Sequence, residues 1–139
     1  MDENESTPQN KQQQNFFIED AYILCYNEKE EEKKKIILDL SKKCKISLPK
    51  NIKYEIKLDV YDSFGIEKGI TVKENIKTVT TVQNTNYVLN EEFKSMEKKI
   101  ITIPKRDSIH KIASQTLVTI EIFDTKRNEE LFKFEFEYD

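Results

Sequence analysis

At 139 residues the chain amounts to one domain with at most a tail, and it is long enough to bury a core without metal or disulfide staples. Charged residues make up 35% and hydrophobic residues 37%, so the apolar material has to be concentrated in particular segments. The net charge of −3 excludes a general affinity for nucleic acid, which needs a basic excess, and no apolar run approaches the length of a membrane-spanning helix.

Residues 1–15 are polar, with Gln12 to Gln14 in a row, and predict a disordered head. Ordered chain is expected from Phe16. Phe16 to Tyr26 is apolar on both faces and predicts a strand or two. The charged run from Asn27 to Lys35 reads as a solvated hairpin loop, and Ile36, Leu38 and Leu40 alternate as a second strand. Lys45 to Leu48 is a short strand ended by Pro49.

Ile52 to Asp62 carries the clearest pattern in the chain. Ile52, Tyr54, Ile56, Leu58 and Val60 fall on one face, and Lys53, Glu55, Lys57, Asp59 and Tyr61 on the other. Such period-two alternation predicts a strand with one buried and one wet face. Gly65 and Gly69, the two glycines of the chain, both lie in the next turn, where the backbone must take a shape other residues resist. Ile70 to Val82 is rich in Thr, Val and Ile, but its parity slips, which a bulge or bend near Glu74 to Lys77 would reconcile. Asn84 to Asn86 reads as a turn, and Glu91 to Lys98 as one helical turn. A short strand at Ile101 and Ile103 stops at Pro104. Lys105 to Ser114 is a polar connection, and Leu117 to Phe123 a strand. Asp124 to Glu130 is a charged hairpin. Leu131 to Tyr138 alternates Phe132, Phe134, Phe136 and Tyr138 against Lys133, Glu135 and Glu137. About eight short strands without a long helix predict an all-β, antiparallel β-sandwich.

Motifs for chemistry are missing. His110 is the single histidine, in a polar loop. There is no glycine-rich phosphate loop, and no Cys-x-x-Cys or His-x-x-x-His spacing for zinc. Asp62, Asp107 and Asp124 stand singly, without the Asp-x-Asp pattern that calcium sites favour. Cys25 and Cys44 read as free thiols of a soluble, cytosolic chain. The expectation is a protein that is not an enzyme and uses no cofactor or metal.

One resemblance spans about Phe16 to Tyr138. The run SLPKNIKYEIKLDVYD, followed by EKGITV, resembles the Rho GDP-dissociation inhibitors, in which a Tyr-centred alternating strand precedes a glycine at the spacing of Val60 and Gly69. IILDL resembles that family's Leu-Asp-Leu strand, and NTNYV its Asp-Tyr turn. Pro104 keeps the family's spacing from Tyr87, and Ala113 precedes a strand of the same length. FKFEF is similar to the segment where the family has Trp-Glu-Trp.

The resemblance implies an immunoglobulin-like antiparallel β-sandwich over residues 16–139, behind the polar head at 1–15. Its two sheets would part to take the prenyl tail of a Rho- or Rac-type GTPase, GDP-bound, and hold that partner soluble in the cytosol. Contact with membrane would be transient, during extraction or delivery. Val60, Phe93, Phe134 and Phe136 match positions lining the family's lipid pocket. Ile120 and Ile122 join them if the alternation of their strand sets the register; an ungapped match from Ala113 would turn Leu117 and Thr119 inward instead. Ordinary core packing accounts equally well for each of the six taken singly.

Three departures qualify the match. The head is too short and polar to supply the family's helical arm. Phenylalanines replace the paired tryptophans. Lys126 and Arg127 interrupt a hairpin that is acidic in the family. The first and third weaken the expectation of slowed GDP release. The competing readings are a carrier of another acylated or farnesylated cargo, a calcium-dependent membrane-binding sandwich, and a structural adaptor.

Overall fold

The computed structural model describes residues 15–49, 52–108 and 115–138. The expected head therefore lies outside the described residues except for Asn15, and so do His110 and Ala113. The described chain forms strands β1 (Phe16–Tyr26), β2 (Glu32–Ile37), β3 (Cys44–Ile46), β4 (Lys53–Asp62), β5 (Ile70–Lys77), β6 (Val82–Leu89), β7 (Lys99–Asp107), β8 (Thr116–Asp124) and β9 (Glu129–Tyr138). No helix occurs among the described residues, and so none is long and apolar enough to cross a membrane.

The strands make two sheets, ordered β2-β1-β4-β7 and β3-β9-β8-β5-β6. All pairings are antiparallel except β3 with β9, which is parallel and only three residues long. The fold is thus the expected β-sandwich, with one parallel edge that the sequence pattern did not announce. The extensive backbone approaches within 8 Å among the described strands join neighbours of the same sheet, and the two sheets face each other across their side chains. β4 supplies Tyr54, Ile56, Leu58 and Val60 to the interlayer, as its alternation requires, and all four are buried.

Several local expectations need correction. The charged run is a loop only as far as Glu31. Asn27 Oδ1 accepts the N–H groups of Lys29 and Glu31, each at 2.9 Å, and Glu32 already begins β2. Leu38 and Leu40 lie beyond that strand; Leu38 N–H donates to the Ala21 carbonyl at 2.9 Å and turns its side chain into the core. No bulge occurs in β5. The slip in parity is a hairpin turn, closed by Thr78 N–H to the Thr81 carbonyl (2.9 Å) and Thr81 N–H to Thr78 Oγ1 (3.0 Å). Asn84 to Asn86 lie in the middle of β6. The segment 91–98 forms no helical turn; Phe93 instead bridges Ile66 through two backbone hydrogen bonds of 2.7 and 2.8 Å.

Strand β7 does not stop at Pro104. It runs on through a β-bulge opposite Glu55, since Ile56 pairs with Ile103 but Tyr54 pairs with Arg106. Proline at a bulge costs no ladder hydrogen bond. The extra residue reverses the parity of the strand beyond it, and Arg106 turns inward where unbroken alternation would have placed Lys105.

Both glycines have positive φ, 84° at Gly65 and 80° at Gly69. A Cβ on Gly69 would sit 2.0 Å from the Leu89 carbonyl oxygen, and one on Gly65 2.7 Å from that of Phe93. The loop from β4 to β5 can lie against the segment after β6 only because these positions carry no side chain.

Candidate functional site

The six candidate positions come together in one interlayer. Val60 projects from β4 of the first sheet. Ile120 and Ile122 project from β8 of the second, and Phe134 and Phe136 from β9 beside them. Ile120 is paired directly with Phe134, and Val118 with Phe136. Phe93 enters from the loop between β6 and β7, held by its bridge to Ile66. The register that turns Val118, Ile120 and Ile122 inward is the observed one; Leu117 and Thr119 are half-exposed on the other face.

No gap lies among them. Val60, Ile120, Ile122 and Phe136 have no surface open to water, so the interlayer is closed around them. The surface clefts found around Asp62, Ile52 and Leu40 are lined by none of those four. One cleft of about 480 Å³ reaches Phe93 and Ile66, and is rimmed by Asp62, Lys94 and Lys126. Another of about 390 Å³ reaches Phe134 between Leu40 and Lys43. The parity of the strands places these side chains; whether they part is a matter of energetics that parity does not address.

A polar cluster lies in the same layer, and the alternation argument missed it. Glu74 is on the inner face of β5, directly paired with Ile120 on β8. Arg106, turned inward by the bulge, forms an ion pair with it from the opposite sheet, with side-chain exposures of 12% and 2%. Tyr87 on β6 completes the group, its hydroxyl donating to Glu74 Oε1 at 3.0 Å and accepting from Arg106 Nη2 at 3.2 Å. Arg106 Nε donates to the Pro104 carbonyl at 2.8 Å, and its guanidinium lies 5.1 Å over the ring of Tyr54. Burial lowers the pKa of Arg106, but Glu74 and then Tyr54 and Tyr87 outweigh it and hold the group above its ordinary value. Burial, followed by Tyr138, pushes the Tyr54 hydroxyl up, so it stays neutral. That hydroxyl is buried without a hydrogen-bond partner among the described residues. Its ring packs edge-on against Tyr138 of the other sheet, centroids 5.9 Å apart.

The sequence did hold a signal for this cluster. Glu74 has the same parity as Ile70, Val72 and Ile76, so an unbroken β5 would have put it inside, and an inward carboxylate requires a buried cation. The assumed bulge concealed that.

At the Phe93 end, Asp62 Oδ1 accepts the N–H groups of Phe64 and Gly65, both at 2.9 Å. Burial raises its pKa, those two bonds lower it, and Asp124 adds to the rise. Among the described residues no cluster of three or more His, Cys, Asp or Glu side chains is placed to hold a metal ion. Cys25 is buried and Cys44 partly so, both as free thiols. No known protein-family model matches the chain, and a search of curated proteins finds no match.

Proposed function

We propose that this chain is a Rho GDP-dissociation inhibitor-like protein that holds the prenyl tail of a Rho- or Rac-type GTPase between its sheets and keeps that GTPase out of the membrane. The observation that carries the reading is the convergence of Val60, Phe93, Ile120, Ile122, Phe134 and Phe136 in one apolar layer between the two sheets. Val118, Ile120, Ile122, Phe134 and Phe136 along β8 and β9 offer hydrocarbon no polar partner, and a prenyl chain asks for none. A tail of about 20 carbons gains on the order of 10 kcal/mol from an apolar phase, enough to set against the parting of packed side chains.

Opening has a preferred side. Glu74 and Tyr87 of the second sheet are tied to Arg106 of the first along the edge that carries β6 and β7. The opposite half, where β9 meets β4 through the ring contact of Tyr138 with Tyr54, is joined by apolar and aromatic contact, and it is there that Val60, Phe134 and Phe136 lie. Residues 1–15 by themselves are expected to add little inhibition of nucleotide exchange. They hold no aliphatic or aromatic side chain beyond Met1 and Pro8, and so no apolar face to lay on a switch surface. The hairpin after β8 is no simple acidic patch either, because Lys126 pairs with Glu67 at 2.8 Å and Arg127 with Glu129 at 3.7 Å.

The test uses one GDP-loaded Rho-type GTPase, prenylated and unprenylated, with liposomes. Prenylated protein should move into the soluble fraction in proportion to added chain, unprenylated protein should not associate, and GDP release should be nearly unchanged. A geranylgeranylated, a farnesylated and a myristoylated peptide, each fluorescently labelled, then rank the cargo. Failure to bind any of the three would overturn the lipid reading; tight binding of the myristoylated peptide alone would replace a prenylated cargo with an acylated one.

A further inference from the structure

A sheet has two edges, and an unguarded edge is a template for another strand. Three of the four edges here carry recognised protections. β2 presents Lys33, Lys34 and Lys35 in succession, all exposed. β7 is broken by Pro104 and its bulge, and Lys105 folds over Tyr26 with its ammonium 3.9 Å from the ring centroid. β3 is three residues long and covered in sequence by flanking lysines.

β6 has none of these. Its sequence, VQNTNYVL, contains no charge and no proline. It pairs with β5 over all eight residues without a register shift, and its other side has no strand beside it among the described residues. Residues 82–86 are exposed on both faces, so no other described part of the chain lies over them. Val82 and Val88, on the outer face, are 57% and 56% exposed with no role inside the fold.

We propose that β6 is a self-association edge, taking the β6 of a second copy of this chain in antiparallel register about a two-fold axis at Thr85. The occupant follows from the order of residues along the strand. An axis perpendicular to the sheet at Thr85 sets Val82 against Val88 of the copy and Asn84 against Asn86, and brings the two Thr85 side chains together. On the inner face Gln83 meets Tyr87. Moving the axis one residue toward either end sets Val82 against Asn86 or Asn84 against Val88, and the match of like with like is lost. A two-fold contact requires such self-complementarity, and a strand selected for some other partner does not. The five-stranded sheets then run on as one across the pair. The tail site lies between the sheets and is not part of this contact.

Sedimentation equilibrium on the lipid-free chain, from about 1 µM to about 1 mM, tests the idea. The mass should rise from the monomer value of 16.5 kDa toward twice that value. Asn84 and Asn86 are exposed on the outer face, away from the Glu74–Arg106 pair, so Asn84→Lys with Asn86→Lys, and Asn84→Glu with Asn86→Glu, leave the fold in place, with thermal melting as the control. Each of these variants alone sets like charges opposite one another on either side of the axis and should weaken association roughly tenfold or more. An equimolar mixture of the two should restore it. Hydrogen exchange on the unaltered chain gives a second reading: β6 amides should slow with concentration, and β2 amides should not. A wild-type monomer across the whole range overturns the proposal. So does a dimer that persists in each variant alone, or one that the mixture fails to restore.

Discussion

Arg106 owes its place to Pro104 two residues before it. The bulge that proline tolerates turns the guanidinium inward, and the inward carboxylate of Glu74 meets it. Neither charge would be stable in the layer alone, so removing one partner should be far worse than removing both. Glu74→Gln leaves a buried guanidinium without its counter-ion, and should cost about 3–5 kcal/mol in urea denaturation. The double change Glu74→Leu with Arg106→Leu should lie much closer to the parent chain. A single variant as stable as the parent would mean that water reaches the pair. Asp62 behaves differently. Its folded carboxyl holds a proton more tightly than the ordinary value of 3.8, chiefly because of burial. Protonation therefore favours the fold. That contribution is complete below the unfolded pKa and is lost as pH rises through the raised folded value. Asp62→Asn removes the charge and keeps an acceptor for Phe64 and Gly65. The variant should melt higher than the parent at pH 7, with the advantage vanishing toward about pH 3–4. A lower melting point at neutral pH would show that the bonds to a carboxylate outweigh its burial.

At the scale of the elements, β4 and β9 were legible because period-two alternation records a buried and a wet face directly, whereas in β8 Leu117 and Phe123 on the outer face left two registers open. β2 was hidden because an edge strand with lysines on both faces has no apolar period to detect. β6 was hidden for the same reason, being polar and exposed, and the asparagines that suggested a turn lie mid-strand. The turn that does exist uses Thr78 and Thr81 hydroxyls, a weaker local signal than glycine or asparagine. Val60, Phe93, Phe134 and Phe136 were named from the family resemblance, and parity chose the register of Ile120 and Ile122, while the Glu74–Arg106 pair depended on two slips in parity, one supposed and one unforeseen. The glycines were read correctly as backbone requirements. Gly69→Ala should destabilise the chain by at least about 1–3 kcal/mol, since it combines a positive φ with a clash against the Leu89 carbonyl. A melting curve unchanged by that substitution would mean that the loop has another way past β6.

For the molecule as a whole, the two sheets face each other across side chains, tied by a buried ion pair on one side and by hydrocarbon on the other. The parallel pairing of β3 with β9 has a consequence in the order of synthesis. Among the described residues Cys44 pairs with Phe136, and Ile46 with Tyr138. By the time residue 107 has been made, the first sheet has all four of its strands, but β8 and β9, which cover its apolar face, do not yet exist. At about 5–20 residues per second, that face stays bare for seconds on the ribosome. The nascent chain in that interval is a half-sandwich with a greasy side, and a holding chaperone has a defined surface to cover until Tyr138 closes against Tyr54.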